Sequence, residues 1–383
     1  MDTVRIGLIG LGGIAHHHLG TFPKLKGFTF TAAADIVPDP LKQVVDKHNV
    51  KGFDDGIKLL DSGLVDAVII CTPHYDHPKL AMAAFERGIH VLTEKPVAVT
   101  AKAAAEVNEA HKKHPKLVYA AMFQQRTNAA WKKVKSMVAA GDVGEILRVN
   151  WIISNWFRTQ SYYDSGGWRA TWRGEGGGVL INQCPHNLDL FQWFVGMPSK
   201  VQAIVGIGKY HQIEVEDDVT AGMSFDNGAT GVFITSTGEA PGTNRLEICG
   251  DHGKLVVDEG RVIFDKNEIP CREFCKTSSE RFASPPRSRY VIEPAKGDEG
   301  HHVITQNFIN AILHGEQLIA PGEEGIHGLE LGNAMLMSGI TGQPVSVPTD
   351  REAYDQLIQK LIKDSTFEKK DVKAGNASLA GSF

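Results

Sequence analysis

Cysteine is scarce in this chain of 383 residues: Cys71, Cys184, Cys249, Cys271 and Cys275 are all there is. A small, odd set excludes a disulfide framework and fits free thiols in a reducing compartment, so a cytoplasmic location is expected. Cys271-x-x-x-Cys275 lacks a second pair at metal-ligand spacing, and His16, His17 and His18 follow one another on a helix and so point apart; no metal site is expected. No apolar run is long enough to span a bilayer, and the opening Met1-Asp2-Thr3-Val4-Arg5 has no signal-peptide layout. Positive charge is not in excess. A net charge of -5 argues against an electrostatic nucleic-acid binder. Internal repeats and long low-complexity segments are missing as well. With 42% hydrophobic and 22% charged residues, the chain has the composition of a globular protein long enough for two domains.

Glycine, by contrast, is placed where it carries information. The apolar run Val4 to Ile9 reads as a buried strand and breaks at Gly10-x-Gly12-x-x-Ala15. Gly10 permits a tight turn, Gly12 lets a diphosphate approach the backbone, and Ala15 lets the following helix lie close to the strand. The free N–H groups opening that helix, through Gly13 and Ile14, face an anion. A second apolar run, Phe28 to Ala34, ends in Asp35, whose carboxylate suits both ribose hydroxyls of an adenosine. A 2′-phosphate would meet like charge there, and Ile36, Val37 and Pro38 bring no Arg or Lys to offset it. NAD is therefore expected over NADP, with Lys42 the one nearby residue that favours NADP. The competing reading of the motif is a plain glycine turn between two core elements.

Strand and helix alternate through the first third. Strands are expected at Val65 to Cys71, Ile89 to Thr93 and Leu117 to Phe123, with helices from Asp76 to Arg87 and through His111. Such βα units imply a parallel sheet with helices on both faces and ligands beyond the strands' carboxyl ends. Gly10, Asp35, Thr72-Pro73 and Glu94-Lys95-Pro96 all fall at such ends. From Gln124 onward, strands at 146–154, 201–207, 218–225, 230–236, 244–249, 254–258 and 261–264 alternate with turn signals and predict a mostly antiparallel sheet. Helices from about His302 to His314 and from Gly325 to Thr341 are expected to cover it. The fold class is α/β: a dinucleotide-binding domain over 1–123, an α+β domain over 124–367, and a flexible polar tail over 368–383.

Two features carry chemistry beyond nucleotide binding. In Glu94-Lys95-Pro96 the proline restrains the lysine backbone, and a lysine beside a dinucleotide polarises a hydroxyl or moves a proton; a surface salt bridge is the plainer alternative. The stretch Gly176 to Asp189 leads three glycines into a helix on which Asn182, His186 and Asp189 share a face. His186 is the natural proton acceptor for a sugar or polyol hydroxyl; a satisfied core histidine is the alternative. Between them, Trp156 to Arg173 is dense in aromatics and arginine, although aromatics make up only 8% of the chain. Such a segment suits a carbohydrate, with Arg158, Tyr163, Trp168, Trp172 and Asn182 as candidate contacts, or an oligomer contact.

Together, Gly10-x-Gly12-x-x-Ala15, Thr72-Pro73, Glu94-Lys95-Pro96 and the helix with His186 and Asp189 resemble the glucose–fructose oxidoreductase / inositol dehydrogenase / MocA family. The resemblance runs from Val4 to about Val347. It implies a Rossmann domain followed by an open, largely antiparallel sheet whose outer face mediates dimers or tetramers. It also implies NAD(P)-dependent oxidation or reduction of sugars or polyols. Lys95 would hold the substrate hydroxyl, His186 would be the main acid/base, and Thr72, Pro73 and Glu94 would line the nicotinamide side. The expected cofactor-binding set is Gly10, Gly12, Gly13, Ile14, Asp35, Thr72, Pro73, His77, Glu94 and Lys95. One position departs from the pattern: many members carry Asp four residues before the histidine, and this chain has Asn182, which holds no charge.

The expectation is a sugar, glycoside or polyol dehydrogenase forming a keto-sugar, a 3-keto-glycoside being one case. Two other readings stand beside it. One is a closed cycle in which tightly held NAD is reduced and reoxidised in place. The other is an NAD-binding regulatory protein without turnover.

Overall fold

The computed structural model describes residues 2–369. The first sheet has six parallel strands: β1 (Val4–Ile9), β2 (Phe28–Ala34), β3 (Lys51–Phe53), β4 (Ala67–Ile70), β5 (His90–Thr93) and β6 (Tyr119–Ala121), in the order β3-β2-β1-β4-β5-β6. The order reverses between β1 and β4, which opens a crevice at the strands' carboxyl ends. All four residues of β4, Ala-Val-Ile-Ile, are buried, because helices cover both faces. Those helices are α1 (Gly13–Thr21), α2 (Pro38–His48), α3 (Gly56–Leu60), α4 (Asp76–Glu86) and α5 (Ala101–Lys112). Local chemistry sets their ends. Pro38 opens α2 and left-handed Asn49 closes it, the Asp55 carboxylate caps α3, and the Thr100 hydroxyl caps α5. The short β3 and α3 carry too little periodicity to be read from sequence.

After α6 (Ala129–Ala139) the second sheet begins. Its nine strands are β7 (Ile146–Ile153), β8 (Lys200–Ile207), β9 (Glu216–Ser224), β10 (Thr230–Ser236), β11 (Asn244–Gly250), β12 (Gly253–Asp258), β13 (Arg261–Asn267), β14 (Arg287–Ile292) and β15 (Val345–Ser346). They lie in the order β14-β13-β12-β11-β7-β10-β9-β8-β15, all antiparallel except for the parallel β7–β10 pair. Period-2 burial in β8 and β9 marks one covered and one open face. Helices α8 (Pro185–Val195) and α11 (Gly325–Thr341) lie on the covered face. The short α7 (Gln160–Asp164) and α9 (Cys271–Thr277), together with α12 (Arg351–Asp364), complete the second unit.

Three expectations need correction. Helix α10 (His301–His314) does not cover the second sheet. It packs on α1, β1 and β5, and its Ile304, Phe308 and Ile309 join the first core. The backbone N–H of Ala121 donates to the Ala320 carbonyl at 3.1 Å, so the chain returns to the first domain after residue 300. Helix α8 starts at Pro185, whose missing N–H costs nothing at that position. Asn182 therefore sits in the preceding turn and does not share a helix face with His186. Most of the expected tail, 370–383, lies outside the described residues; Lys369, just before it, donates through its ammonium to the Arg169 carbonyl.

Asp189 is committed elsewhere too. Its carboxylate takes both edges of the Arg126 guanidinium, Nε at 2.8 Å and Nη2 at 2.6 Å, with both side chains 1% exposed. Arg126 also reaches Glu324 at 2.6 Å and the Ile319 carbonyl at 3.2 Å, tying α8 to the segment before α11. A buried pair broken on one side leaves a charge without a partner. Asp189→Asn is expected to cost about 3 kcal/mol in urea unfolding; a loss below about 1 kcal/mol would mean that the pair does not hold these elements together.

Candidate active site

The carboxyl ends of β1, β2, β4 and β5 meet the second unit across an open cleft. Gly10, Gly12, Gly13, Ile14, Asp35, Thr72, Pro73, His77, Glu94 and Lys95 all line it, and so do Arg158, Trp168, Asn182 and His186.

The nucleotide end is built by the β1–α1 turn. Gly10 has φ +86°, and a Cβ there would strike the Cys71 and Thr72 backbone. Gly12 faces open space, with no atom within 4 Å of where a Cβ would stand, so an anion can reach the backbone. No side chain caps α1, and its first N–H groups stay available. Asp35 Oδ2 accepts from Leu11 N at 2.6 Å and Oδ1 accepts from Val37 N at 2.7 Å. Each oxygen keeps a lone pair for a ribose hydroxyl. These residues fit a dinucleotide. His77 acts differently from the other expected contacts. Its ring nitrogens lie 2.7 Å from the carbonyls of Pro96 and Thr72, so it ties the lysine turn to the β4 turn from behind.

The centre of the cleft is largely buried and charged. His18 Nε2 lies 2.8 Å from Glu94 Oε1, with both side chains buried. Burial alone would raise the Glu94 pKa, but His18, His301 and Lys95 hold it down at about 2. The Lys95–Pro96 peptide is cis, and Lys95 Nζ donates to the Asn182 carbonyl at 2.7 Å. Burial lowers the Lys95 pKa, Glu94 and Glu175 oppose that, and Arg169 adds to it. Burial, with help from Lys95 and His301, pushes His186 well below the usual histidine value, so its imidazole is neutral near neutral pH. Gln124 Nε2 lies 3.1 Å from His186 Nε2. The amide donates, so that ring nitrogen carries the lone pair.

Asn182 owes its position to a second buried carboxylate. Its side-chain amide donates to Glu175 Oε1, while Glu175 Oε2 accepts from Ala170 N at 2.5 Å. Glu216 fixes the same turn from the other side, accepting from Gly178 N at 2.9 Å and Leu180 N at 3.1 Å. The negative charge missing at position 182 thus resides on Glu175, close enough to be felt by Lys95.

Two expected sugar contacts lie elsewhere. Tyr163 is 2% exposed and shares a 2.7 Å hydrogen bond with Thr237, and Trp172 is packed in the second core. Tyr162 and Tyr163 are consecutive on α7 and so point apart; Tyr162 is the one that lines the cleft. Trp156, Arg169, Gln183, His74 and His301 line it as well. The first two belong to the aromatic and arginine segment, and the next two adjoin Asn182 and Pro73. Only long-range packing brings in His301, whose pKa burial lowers to about 3.

Comparison with known proteins agrees with this geometry. The profile described as "Oxidoreductase family, NAD-binding Rossmann fold" matches residues 4–122, and the GFO/IDH/MocA C-terminal domain matches 131–256. The WlbA dehydrogenase of Chromobacterium violaceum, solved with NADH and UDP-GlcNAcA, is 30% identical with a TM-score of 0.79, over 91% of this chain and 97% of that one. The chain belongs to the GFO/IDH/MocA oxidoreductase family. Curated relatives of this GFO/IDH/MocA protein include the myo-inositol 2-dehydrogenase of Thermotoga maritima, 25% identical over 86% of this chain and 95% of its own length. The levoglucosan dehydrogenase of Pseudarthrobacter phenanthrenivorans is 25% identical over 91% of this chain and 99% of its own. The protein is an oxidoreductase whose first domain is an NAD-binding Rossmann domain. No helix among the described residues is long and apolar enough to cross a membrane.

Two measurements check this site. Asp35→Ala is expected to weaken NAD binding roughly tenfold, from lost charge-assisted hydrogen bonds, and to narrow the preference over NADP, both read by cofactor titration; an unchanged preference would place the ribose elsewhere. Glu94 has a depressed pKa, so its ionised form contributes stability above its unfolded pKa near 4.5 and loses it as pH falls toward about 2. The stability gap between the wild type and Glu94→Gln is expected to shrink across that interval in urea melts, and a gap independent of pH would refute the buried pair.

Proposed function

We propose that this protein transfers a hydride between a ring carbon of a sugar, glycoside or polyol and NAD, leaving a keto group on the ring. The observation that carries the reading is the convergence of a half-buried Lys95 and a neutral His186 at the end of the dinucleotide crevice. Relatives named for inositol and levoglucosan support a polyhydroxylated ring. A 3-keto-glycoside is one product of this class.

When bound, the nicotinamide supplies the hydride acceptor. The chain's own residues manage the proton. Lys95, held by the Asn182 carbonyl, is placed to donate to the reacting oxygen and stabilise the charge that grows there as the O–H proton leaves. His186 Nε2 takes that proton once the hydroxyl displaces the Gln124 amide. Asn182 offers hydrogen bonds, and Glu175 behind it keeps negative charge near the ammonium. Self-association through the open face of the second sheet, where Ile204 is 76% exposed, belongs to the same reading. So does a cytoplasmic location, which suits free cysteines such as Cys249, Cys271 and Cys275.

Lys95→Ala and His186→Ala are each expected to lower kcat by about a hundredfold or more, the usual scale of acid–base catalysis, while NADH still binds. Because His186 must be neutral to accept a proton, the acid limb of the kcat/KM profile is expected below pH 6.5 and is lost in His186→Ala. Wild-type turnover in both variants would refute these roles. Bound nicotinamide that is reduced and reoxidised without net NADH release would point to the closed cycle.

A further inference from the structure

The substrate end of the cleft is walled by guanidinium groups set against aromatic rings. The Arg158 guanidinium lies over Trp156 at 5.6 Å and over Tyr162 at 5.1 Å. The Arg169 guanidinium lies over the same Tyr162 ring at 4.4 Å and over Trp168 at 4.8 Å. Two cations thus stand against one aromatic ring. These ring contacts occupy part of each guanidinium, and Arg169 Nη1 donates to the Tyr162 hydroxyl at 2.7 Å. On both residues the Nε is buried and has no partner among the described residues.

Among the described residues the charge around them is only partly balanced. The hydrogen bonds of Arg158 run to neutral groups, its Nη1 donating to the Phe157 carbonyl at 3.0 Å. The carboxylate nearest Arg169 is Glu175 at 3.9 Å, and that carboxylate is already held by Asn182 and the Ala170 N–H. Lys95 adds a third cation to the same cleft. Glu94, the other carboxylate at its centre, is engaged by His18. Burying unpaired guanidinium N–H groups is costly unless a ligand completes them, and a planar edge of two parallel donors matches the oxygens of an anion.

We propose that the physiological substrate carries an acidic group, a carboxylate or a phosphate ester on the sugar, which the edges of Arg158 and Arg169 hold while the ring presents a hydroxyl to Lys95 and His186. This rests on the proposed sugar substrate and narrows it to an anionic one. The aromatic rings then pack the sugar's CH faces and keep the guanidinium groups fixed. An acidic substituent also offsets the positive charge that Lys95 brings.

The test is calorimetric titration of the protein saturated with NADH, so that the diphosphate end is filled. The probes are D-glucuronate, D-glucose 6-phosphate and D-glucose. At least one anion is expected to bind roughly tenfold or more tightly than glucose, with an advantage that shrinks as salt is added. That advantage is expected to fall to parity in Arg158→Gln and in Arg169→Gln, with NADH affinity in each variant reporting a folded cleft. Preference for glucuronate alone assigns a carboxylate, and preference for the phosphate alone a phosphate ester. Equal binding of all three, or a preference that survives both variants, overturns the proposal. Anion binding without hydride transfer to any sugar would count against the dehydrogenase reading alone, and turnover of neutral sugars without anion preference against the acidic substrate alone.

Discussion

The Glu94 carboxylate, buried at the end of β5 against His18 of α1, is where most of the cleft meets. Its charge is kept by His18 and felt by Lys95 and His301, so three elements far apart in sequence bear on one group. An ionised carboxylate in a dry interior is tolerated only when such partners satisfy it. In return it opposes the effect of burial on the neighbouring Lys95 ammonium. Burial still leaves Lys95 with a lowered pKa, and its bond to the Asn182 carbonyl holds it in place, which suits a group that must donate a hydrogen bond and exchange a proton.

A second buried carboxylate repeats the logic. Glu175 has its pKa raised by burial, against the pull of Arg169 and of its hydrogen bonds from Ala170 and Asn182. Through the Asn182 amide it orients the residue whose carbonyl receives Lys95. The neutral residue at 182 therefore does not empty the site of negative charge. It moves that charge one side chain back, where it influences Lys95 by field and not by contact.

The legible parts of the molecule are those fixed by short-range chemistry. Gly10, Gly12 and Asp35 announce a nucleotide turn because a positive φ, an open approach and a strand-end acid are local requirements. Glu94-Lys95-Pro96 and the glycines before His186 are local in the same sense. What failed to show was decided by distant partners. Asp189 shares its helix spacing with His186, yet Arg126, 63 positions away, takes it. Helix α10 has an apolar face that says it is buried but not against which sheet, and it brings His301 into the cleft. The segment from Trp156 to Arg173 was recognisable by composition. Which of its rings face the cleft depends on where the five-residue α7 begins, so Tyr162 lines the cleft and Tyr163 the core.

The most direct test of the account follows the hydrogen itself. A sugar deuterated at the reacting ring carbon is incubated with NAD and the protein, and the cofactor is recovered for mass spectrometry. The account predicts reduced cofactor one mass unit heavier than the unlabelled control, because hydride leaves the ring carbon while the hydroxyl proton goes to His186. Reduced cofactor without the label, or none from any polyhydroxylated ring, would contradict it.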